Sequence, residues 1–145
     1  MNEQDRELLF IDLCGRIPYK VRMFEIEPIN DIQSNLTLQS ISNKASVICI
    51  TPSGGAIGSS IDAFKPYLFP LSSMTEEQRE EFLNIQTEER QILLNALIEY
   101  KSGKCDKIPI IAPYKQIEWL NKNHFDYRGL IERGLAIDCT NLNIY

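Results

Sequence analysis

The one histidine of the chain, His124, stands in a run of aromatic, acidic and basic residues, NHFDYRGLIERGLAID at 123–138. Asp126 is near enough in sequence to orient the imidazole, which could then act as a general base near neutral pH. Tyr127 or Arg128 could hold an anion beside it. Such chemistry also needs a nucleophile or a metal ion, and the sequence contains no motif for either. A small enzyme that uses His124 and Asp126 is therefore the less favoured interpretation.

The same segment has a simpler structural interpretation, which we favour. The histidine would cap or end the last helix of the chain. Phe125 and Tyr127 would pack on the hydrophobic core, because aromatic rings gain most from leaving water. Asp126 would pair with Arg128 or Arg133.

A glycine-containing loop, TPSGGAIGSS at 51–60, is a second candidate site. Backbone amides of Gly54, Gly55 and Gly58 could cradle a phosphate. A phosphate-binding loop of the Walker type needs a lysine after its last glycine, and Ser59 stands there instead. We therefore favour a flexible hairpin between two strands.

A third candidate is the segment IDAFKPYLFPLSSMTEEQ at 61–78, which combines prolines with aromatic residues. Phe64, Tyr67 and Phe69 could form an exposed recognition surface. The alternative is that these rings pin a connection to the core. Pro66 and Pro70 are expected to cut short any strand here, because proline cannot donate a hydrogen bond to a sheet.

Basic residues offer a fourth candidate. Lys20 and Arg22, from one strand face, could form a small anion pocket with Arg128 and Arg133. A solvated strand face is the interpretation that we favour for the first two. The partner-binding or ligand-binding residues that the sequence singles out are Phe64, Tyr67, Phe69, Tyr127 and Arg128.

Composition disfavours several function classes. The net charge of −5, from 20 acidic and 15 basic residues, argues against general nucleic-acid binding and against docking on anionic lipid. The opening MNEQDRELLF is unlike a signal peptide, and no apolar run approaches the roughly 20 residues of a bilayer span. We expect a cytoplasmic protein.

The cysteines also bear on compartment and metal content. Cys14, Cys49, Cys105 and Cys139 form no CxxC pair, so we expect no metal site, no cofactor, and free thiols that are mostly buried.

Periodicity predicts the elements that must position these residues. A helix over 2–17 has Leu9 and Leu13 on one face, with Asn2 or Asp5 as its cap and Gly15 as its stop. Alternation predicts strands at 19–26 and 36–41, and a short β-branched run predicts a buried third strand at 45–50. The stretch from Thr75, which with Gln78 forms a capping box, to Gly103 is helical, either as one long helix or as a bent pair. A last helix follows at 112–123, with an apolar edge of Tyr114, Ile117 and Leu120. A short strand at 135–139 then returns to the sheet.

The predicted fold class is α+β in one globular domain over 1–145. It has an N-terminal helix, a small bent antiparallel sheet and two to three C-terminal helices. An SH3-like or Sm-like barrel is one form that such a sheet can take.

Three stretches carry a resemblance: LLFIDLCGRIPYKV at 8–21, KPYLFPLSSMTEE at 65–77 and WLNKNHFDYRGLIERGLAID at 119–138. In this order they resemble a group of small uncharacterised proteins encoded by phages, prophages and genomes of gut Bacteroidetes. Where this chain has Gly15 to Lys20 the group usually has ARLPYG, and Phe69 replaces the arginine of its KPYLRP. The resemblance supplies no catalytic residue. It implies a bacterial or phage-infected cytoplasm and an accessory gene.

Our leading expectation is a non-enzymatic accessory binding protein of phage or prophage origin that binds a host or phage protein. The alternative is a protein that binds or sequesters a small anionic ligand such as a nucleotide, for example in anti-defence. Self-association into a homo-oligomer is compatible with the sequence.

Overall fold

The computed structural model describes residues 1–27, 36–42, 46–104 and 114–145. The fold is α+β, as the sequence predicts, with a mixed rather than wholly antiparallel sheet. The chain divides into two compact units, which we describe separately. Unit 1 comprises Met1–Ser73 and Asn121–Tyr145, and unit 2 comprises Met74–Leu120.

Unit 1 opens with helix α1, Glu3–Arg16. Asn2 is its cap, because its side-chain oxygen accepts a hydrogen bond of 2.8 Å from the backbone N–H of Asp5. The predicted core face is confirmed, since Leu9 and Leu13 are fully buried.

The prediction that α1 stops at Gly15 is wrong. The helix continues to Arg16 and passes into a 3₁₀ turn, Ile17–Tyr19, before Lys20 takes a left-handed conformation with φ of 55°. A Cβ atom at Gly15 would lie 3.0 Å from the side-chain nitrogen of Asn121. Close approach of these two residues therefore accounts for this glycine, rather than helix termination.

Within the described residues the sheet contains seven strands, in the order β4-β3-β2-β1-β5-β6, with β7 also paired to β5. The strands are β1 Arg22–Glu25, β2 Leu36–Ser42, β3 Ser46–Ile50, β4 Ala56–Ser60, β5 Phe64–Pro70, β6 Phe125–Asp126 and β7 Ile137–Asp138. The pairings among β1 to β5 are antiparallel, whereas β6 and β7 run parallel to β5. The predicted return of the tail to the sheet is confirmed by β7. The SH3-like or Sm-like form stays a prediction.

Strand β5 is longer than the sequence predicts, because Pro66 does not interrupt it. Pro66 pairs with Met23 of β1, and the pairings of β5 with β7 and β6 begin only at Tyr67. Among the described residues, Pro66 therefore pairs with β1 alone. No second strand lies opposite this residue and would need a hydrogen bond from the N–H that proline lacks. Proline is tolerated at such edge positions.

The core of unit 1 lies between α1, the inner face of the sheet and the C-terminal segment. Alternation along the strands directs Met23, Leu36, Leu38, Val47 and Cys49 inward, as the sequence predicts for β1 to β3. Leu130, Leu135 and Ala136 of the tail belong to the same cluster.

Unit 2 contains helix α2, Glu76–Lys101, and helix α3, Tyr114–Lys122, which ends in unit 1. The capping box of Thr75 and Gln78 is present, and α2 is one continuous helix. Phe82 contacts Trp119 with ring centroids 5.5 Å apart. The carboxylate of Glu89 accepts hydrogen bonds from the backbone N–H of Lys115 and the side chain of Gln116. These contacts hold the start of α3 against the middle of α2.

The predicted apolar edge of α3 is only partly right. Leu120 is buried, but Tyr114 and Ile117 are exposed, and Trp119 is buried beside Leu120. The predicted start of this helix, at 112–113, lies outside the described residues.

Candidate functional site

A buried ion pair joins two residues of α1 that the sequence analysis did not single out. Arg16 donates from Nε to Asp12 Oδ2 at 2.6 Å and from Nη2 to Oδ1 at 3.1 Å, and both side chains are fully buried. Nη2 also donates to the carbonyl oxygen of Phe125 at 2.8 Å. The spacing of four residues is the signal that was available, because it places both side chains on one helix face with Leu9 and Leu13.

Arg128 and Tyr127 extend this ion pair into a cluster of four residues, which we call the Asp12 cluster: Asp12, Arg16, Tyr127 and Arg128. Arg128 Nε lies 3.5 Å from Asp12 Oδ1. The guanidinium carbons of Arg16 and Arg128 lie 5.7 and 4.9 Å from the ring centroid of Tyr127. Cations over an aromatic face are attracted by its quadrupole. The structure thus brings together Tyr127 and Arg128 as the sequence suggested, but around a carboxylate from α1.

Two guanidinium nitrogens of the Asp12 cluster are buried without a hydrogen-bond partner in the described part of the chain. They are Nη1 of Arg16 and Nε of Arg128. The Oδ1 of Asn121 and the Nδ1 of His124 are likewise buried without a hydrogen-bond partner among the described residues. Buried polar atoms are usually satisfied, so these atoms mark where water or a ligand would have hydrogen bonds to make.

Asp126 does not orient His124 and does not pair with Arg128 or Arg133. Its carboxylate accepts hydrogen bonds from the backbone N–H groups of Arg128, Leu130 and Ile131, at 3.2, 3.0 and 2.8 Å. The prediction of an ion pair is therefore wrong. A carboxylate followed by a turn satisfies nearby amides more readily than it reaches a flexible cation.

His124 ends helix α3, as the favoured interpretation predicts. The backbone N–H of His124 donates a hydrogen bond to the carbonyl oxygen of Asn121, and the left-handed φ of 59° at His124 turns the chain out of the helix. The imidazole stacks on Tyr145 with ring centroids 4.0 Å apart. Burial, followed by the positive charge of Arg16, lowers the pKa of His124 from 6.5 to about 4. The ring is therefore neutral at physiological pH.

This pKa predicts a pH-dependent stability. Above pH 6.5 the imidazole is neutral in both states, but between pH 6.5 and about 4 only the unfolded chain binds the proton. The free energy of unfolding should therefore be about 2 kcal/mol lower at pH 5 than at pH 7. Urea denaturation of the native protein and of His124→Asn, which accepts the left-handed conformation, measures it. An equal decrease in both proteins would contradict the assignment to His124.

The three aromatic residues of the proline-containing segment do not form an exposed surface. Phe64 is fully buried in the core. Tyr67 and Phe69 are half-buried, Tyr67 edge-on against Phe24 and Phe69 against Phe125 and Tyr145. The segment is strand β5 rather than a loop, so alternation directs its residues alternately to the two faces of the sheet.

Tyr145, which the sequence analysis passed over, holds two strands together. Its hydroxyl accepts a hydrogen bond from the Arg22 N–H and donates one to the carbonyl oxygen of Tyr67, at 3.0 and 2.8 Å. Burial raises the pKa of this phenol well above its ordinary value.

The basic residues of the fourth candidate have different partners. Arg22 donates to Thr37 on β2, Arg133 pairs with Asp5 and Arg128 pairs with Asp12. Lys20 is exposed at the left-handed turn. The prediction that Lys20 and Arg22 share one strand face is wrong, because β1 begins only at Arg22. The separate partners of the other three residues disfavour one shared anion pocket.

The glycine-containing segment forms the predicted hairpin. Its turn is closed by Thr51, whose Oγ1 accepts a hydrogen bond from the Gly55 N–H at 2.9 Å, and Gly54 has a φ of 88° that favours glycine. Residues 56–60 then form β4, paired in register with β3.

The described cysteines are free thiols, of which Cys49 and Cys139 are buried and Cys14 is exposed. Burial raises the pKa of Cys49 to about 12 and that of Cys139 to about 11, so both stay protonated and unreactive. Cys105 lies outside the described residues. Within the described ranges, no three His, Cys, Asp or Glu side chains group as a metal site would require.

Helix α2 carries an exposed apolar stripe, which was not among the sites predicted from the sequence. Leu83, Leu94 and Ile98 are 50%, 52% and 56% exposed. They lie on the side of the helix away from Phe82 and Glu89, which contact α3. The sequence did contain a signal for this stripe. Leu93 and Leu97 fall on one face of the helix and Leu94 and Ile98 on another, and two apolar faces are more than a single contact with the core needs.

We define the α2 stripe as six exposed residues of α2: Glu80, Leu83, Thr87, Leu94, Ile98 and Lys101. Successive members are three, four, seven, four and three residues apart, so all six lie along one face of the helix. It is acidic at one end and basic at the other.

Comparison with known proteins gives no relative: no protein-family model, curated protein sequence or solved structure matches the chain. In the parts of the chain that the structure describes, no helix has the length and hydropathy that crossing a membrane requires.

Proposed function

We propose that the chain is a non-enzymatic accessory binding protein of phage or prophage origin that works in the cytoplasm of a bacterial host through protein–protein contact. The observation that carries the proposal is the α2 stripe, where Leu83, Leu94 and Ile98 are each about half exposed. Exposed apolar side chains aligned along one helix face are typical of a surface that another helix covers.

The polar groups near His124 support a binding role over a catalytic one. Asp126 is engaged by three backbone amides, and Arg128 faces Asp12. The imidazole of His124 lies against the ring of Tyr145 and is held neutral by burial. The carboxylate of Asp126 and the ring of His124 thus make contacts that stabilise unit 1.

A photoreactive amino acid placed on the α2 stripe tests the proposal. At position 94 it should give a discrete protein adduct in cells, which mass spectrometry identifies as a phage protein, a host protein or a second copy. The matched control is position 99, which is exposed on another face of the same helix. An absence of adducts at position 94, or equal adducts at both positions, would refute the proposal.

A second candidate function, sequestration of a small anionic ligand such as a nucleotide, is favoured by the Asp12 cluster. One carboxylate and two guanidinium groups leave an excess of one positive charge, and Arg16 and Arg128 each have a buried nitrogen without a hydrogen-bond partner among the described residues. A ligand that binds only the folded state raises the melting temperature. A nucleotide screen with no such increase would remove this candidate.

A further inference from the structure

We infer that the occupant of the α2 stripe is a second copy of this chain, packed with its α2 antiparallel to the first. The inference rests on the proposed function, since it names the partner of the same surface. It is carried by the order of residues along the stripe and by their exposure.

The stripe is self-complementary when it is reversed. In an antiparallel pairing centred between Arg90 and Gln91, Leu83 of one copy lies opposite Ile98 of the other, and Thr87 lies opposite Leu94. Every exposed apolar residue of the stripe thereby meets a residue of the same stripe. A two-fold contact requires this property, because both copies present one surface.

The charges at the two ends match in the same register. Glu80 of one copy lies opposite Lys101 of the other, and Glu77 lies opposite Lys104. All four residues are exposed; Glu77, Glu80 and Lys101 lie on α2, whereas Lys104 follows the end of the helix, so the Glu80–Lys101 contact is the one that the helical register fixes. The antiparallel arrangement therefore forms the Glu80–Lys101 contact twice, whereas a parallel arrangement would place Glu80 against Glu80.

The helix is long enough for such a contact. Its 26 residues span about 39 Å at 1.5 Å per residue. The steps of three, four and seven residues along the stripe are those of helices that pack side by side at a shallow angle. Contact with α3 uses the opposite side of α2, through Phe82 and Glu89, so it leaves the stripe accessible.

Charge exchange between the two ends tests the arrangement. Sedimentation equilibrium of the native protein should give a dimer. Glu80→Lys and Lys101→Glu should each weaken it about tenfold or more, because each replaces two attractions by two repulsions. An equimolar mixture of the two variants should restore a dimer that contains one copy of each, since every contact is again attractive.

Two variants complete the experiment. Leu94→Glu should abolish the dimer by placing a charge in the apolar contact. Glu99→Lys makes the same charge change as Glu80→Lys on another face and should leave the dimer unchanged, with circular dichroism confirming that all variants fold.

A monomeric native protein, a dimer indifferent to Leu94→Glu, or a mixture that fails to re-form would overturn the inference. If position 94 then still cross-links to a different protein, the proposed function stands without self-association.

Discussion

Replacing Asp12 with alanine is expected to lower the free energy of unfolding by about 3–5 kcal/mol, because it leaves the guanidinium of Arg16 buried without its counter-ion. Arg16 is fully buried and would retain only the carbonyl oxygen of Phe125 as a described hydrogen-bond acceptor. Arg128 would lose the same carboxylate. Urea denaturation at pH 7 measures the loss.

A matched control is Arg133→Gln, which breaks an ion pair with Asp5 whose side chains are 54% and 21% exposed. It should change the free energy of unfolding by no more than about 1 kcal/mol. The double variant Asp12→Leu with Arg16→Met should recover much of the loss, because it removes the unpaired charge at the fully buried position 16 and leaves only Arg128, whose side chain is 30% exposed, without its carboxylate. If Asp12→Ala lowered the free energy of unfolding no more than Arg133→Gln does, the buried ion pair would contribute no more to stability than an exposed one.

Asp126→Ala is expected to lower the free energy of unfolding by about 3 kcal/mol or more, since it removes the acceptor of three backbone N–H groups. Asp126 is 8% exposed, so water cannot easily replace the lost oxygens. Asp138→Ala is the comparison: its carboxylate accepts hydrogen bonds from the backbone N–H and hydroxyl of Thr140, but it is exposed. We expect it to lose about 1 kcal/mol. Urea denaturation again measures both variants. Equal decreases in the free energy of unfolding would contradict the idea that burial of Asp126 makes its hydrogen bonds more costly to lose.

Local signals predicted the helices and strands because neighbouring residues determine them. Asn2 caps α1, the capping box begins α2, and two-residue alternation gives β1 to β3 with the correct inward faces. Each of these features depends on residues within a few positions of one another. Gly15 and Pro66 were misread because their surroundings come from Asn121 and from β1, both distant in sequence.

The candidate site was less predictable for the same reason. The residues around His124 were identified, but their partners Asp12 and Arg16 lie more than a hundred positions earlier, and a single sequence does not reveal such contacts. The two apolar faces of α2 indicated more apolar surface than one contact needs, but which of them is exposed could not be predicted until the neighbouring elements were known.

The three stretches that carry the resemblance contact one another in unit 1. Arg16 of the first donates to Phe125 of the third, and Phe69 of the second pairs with that same residue across β5 and β6. The relation to phage and prophage proteins stays a prediction. This convergence offers a structural reason for their occurring together, since all three build one interior.

The parallel pairings of β5 have a consequence for the order in which the protein is made. Strand β5 leaves the ribosome more than fifty residues before β6 and β7, and unit 1 is completed only by Asn121–Tyr145. During synthesis, the side of β5 that pairs with β6 and β7 therefore stays unpaired while all of unit 2 is translated. The pairings of β5 with β6 and β7 therefore form late in synthesis, and the nascent chain is most exposed to association with other chains just before they form.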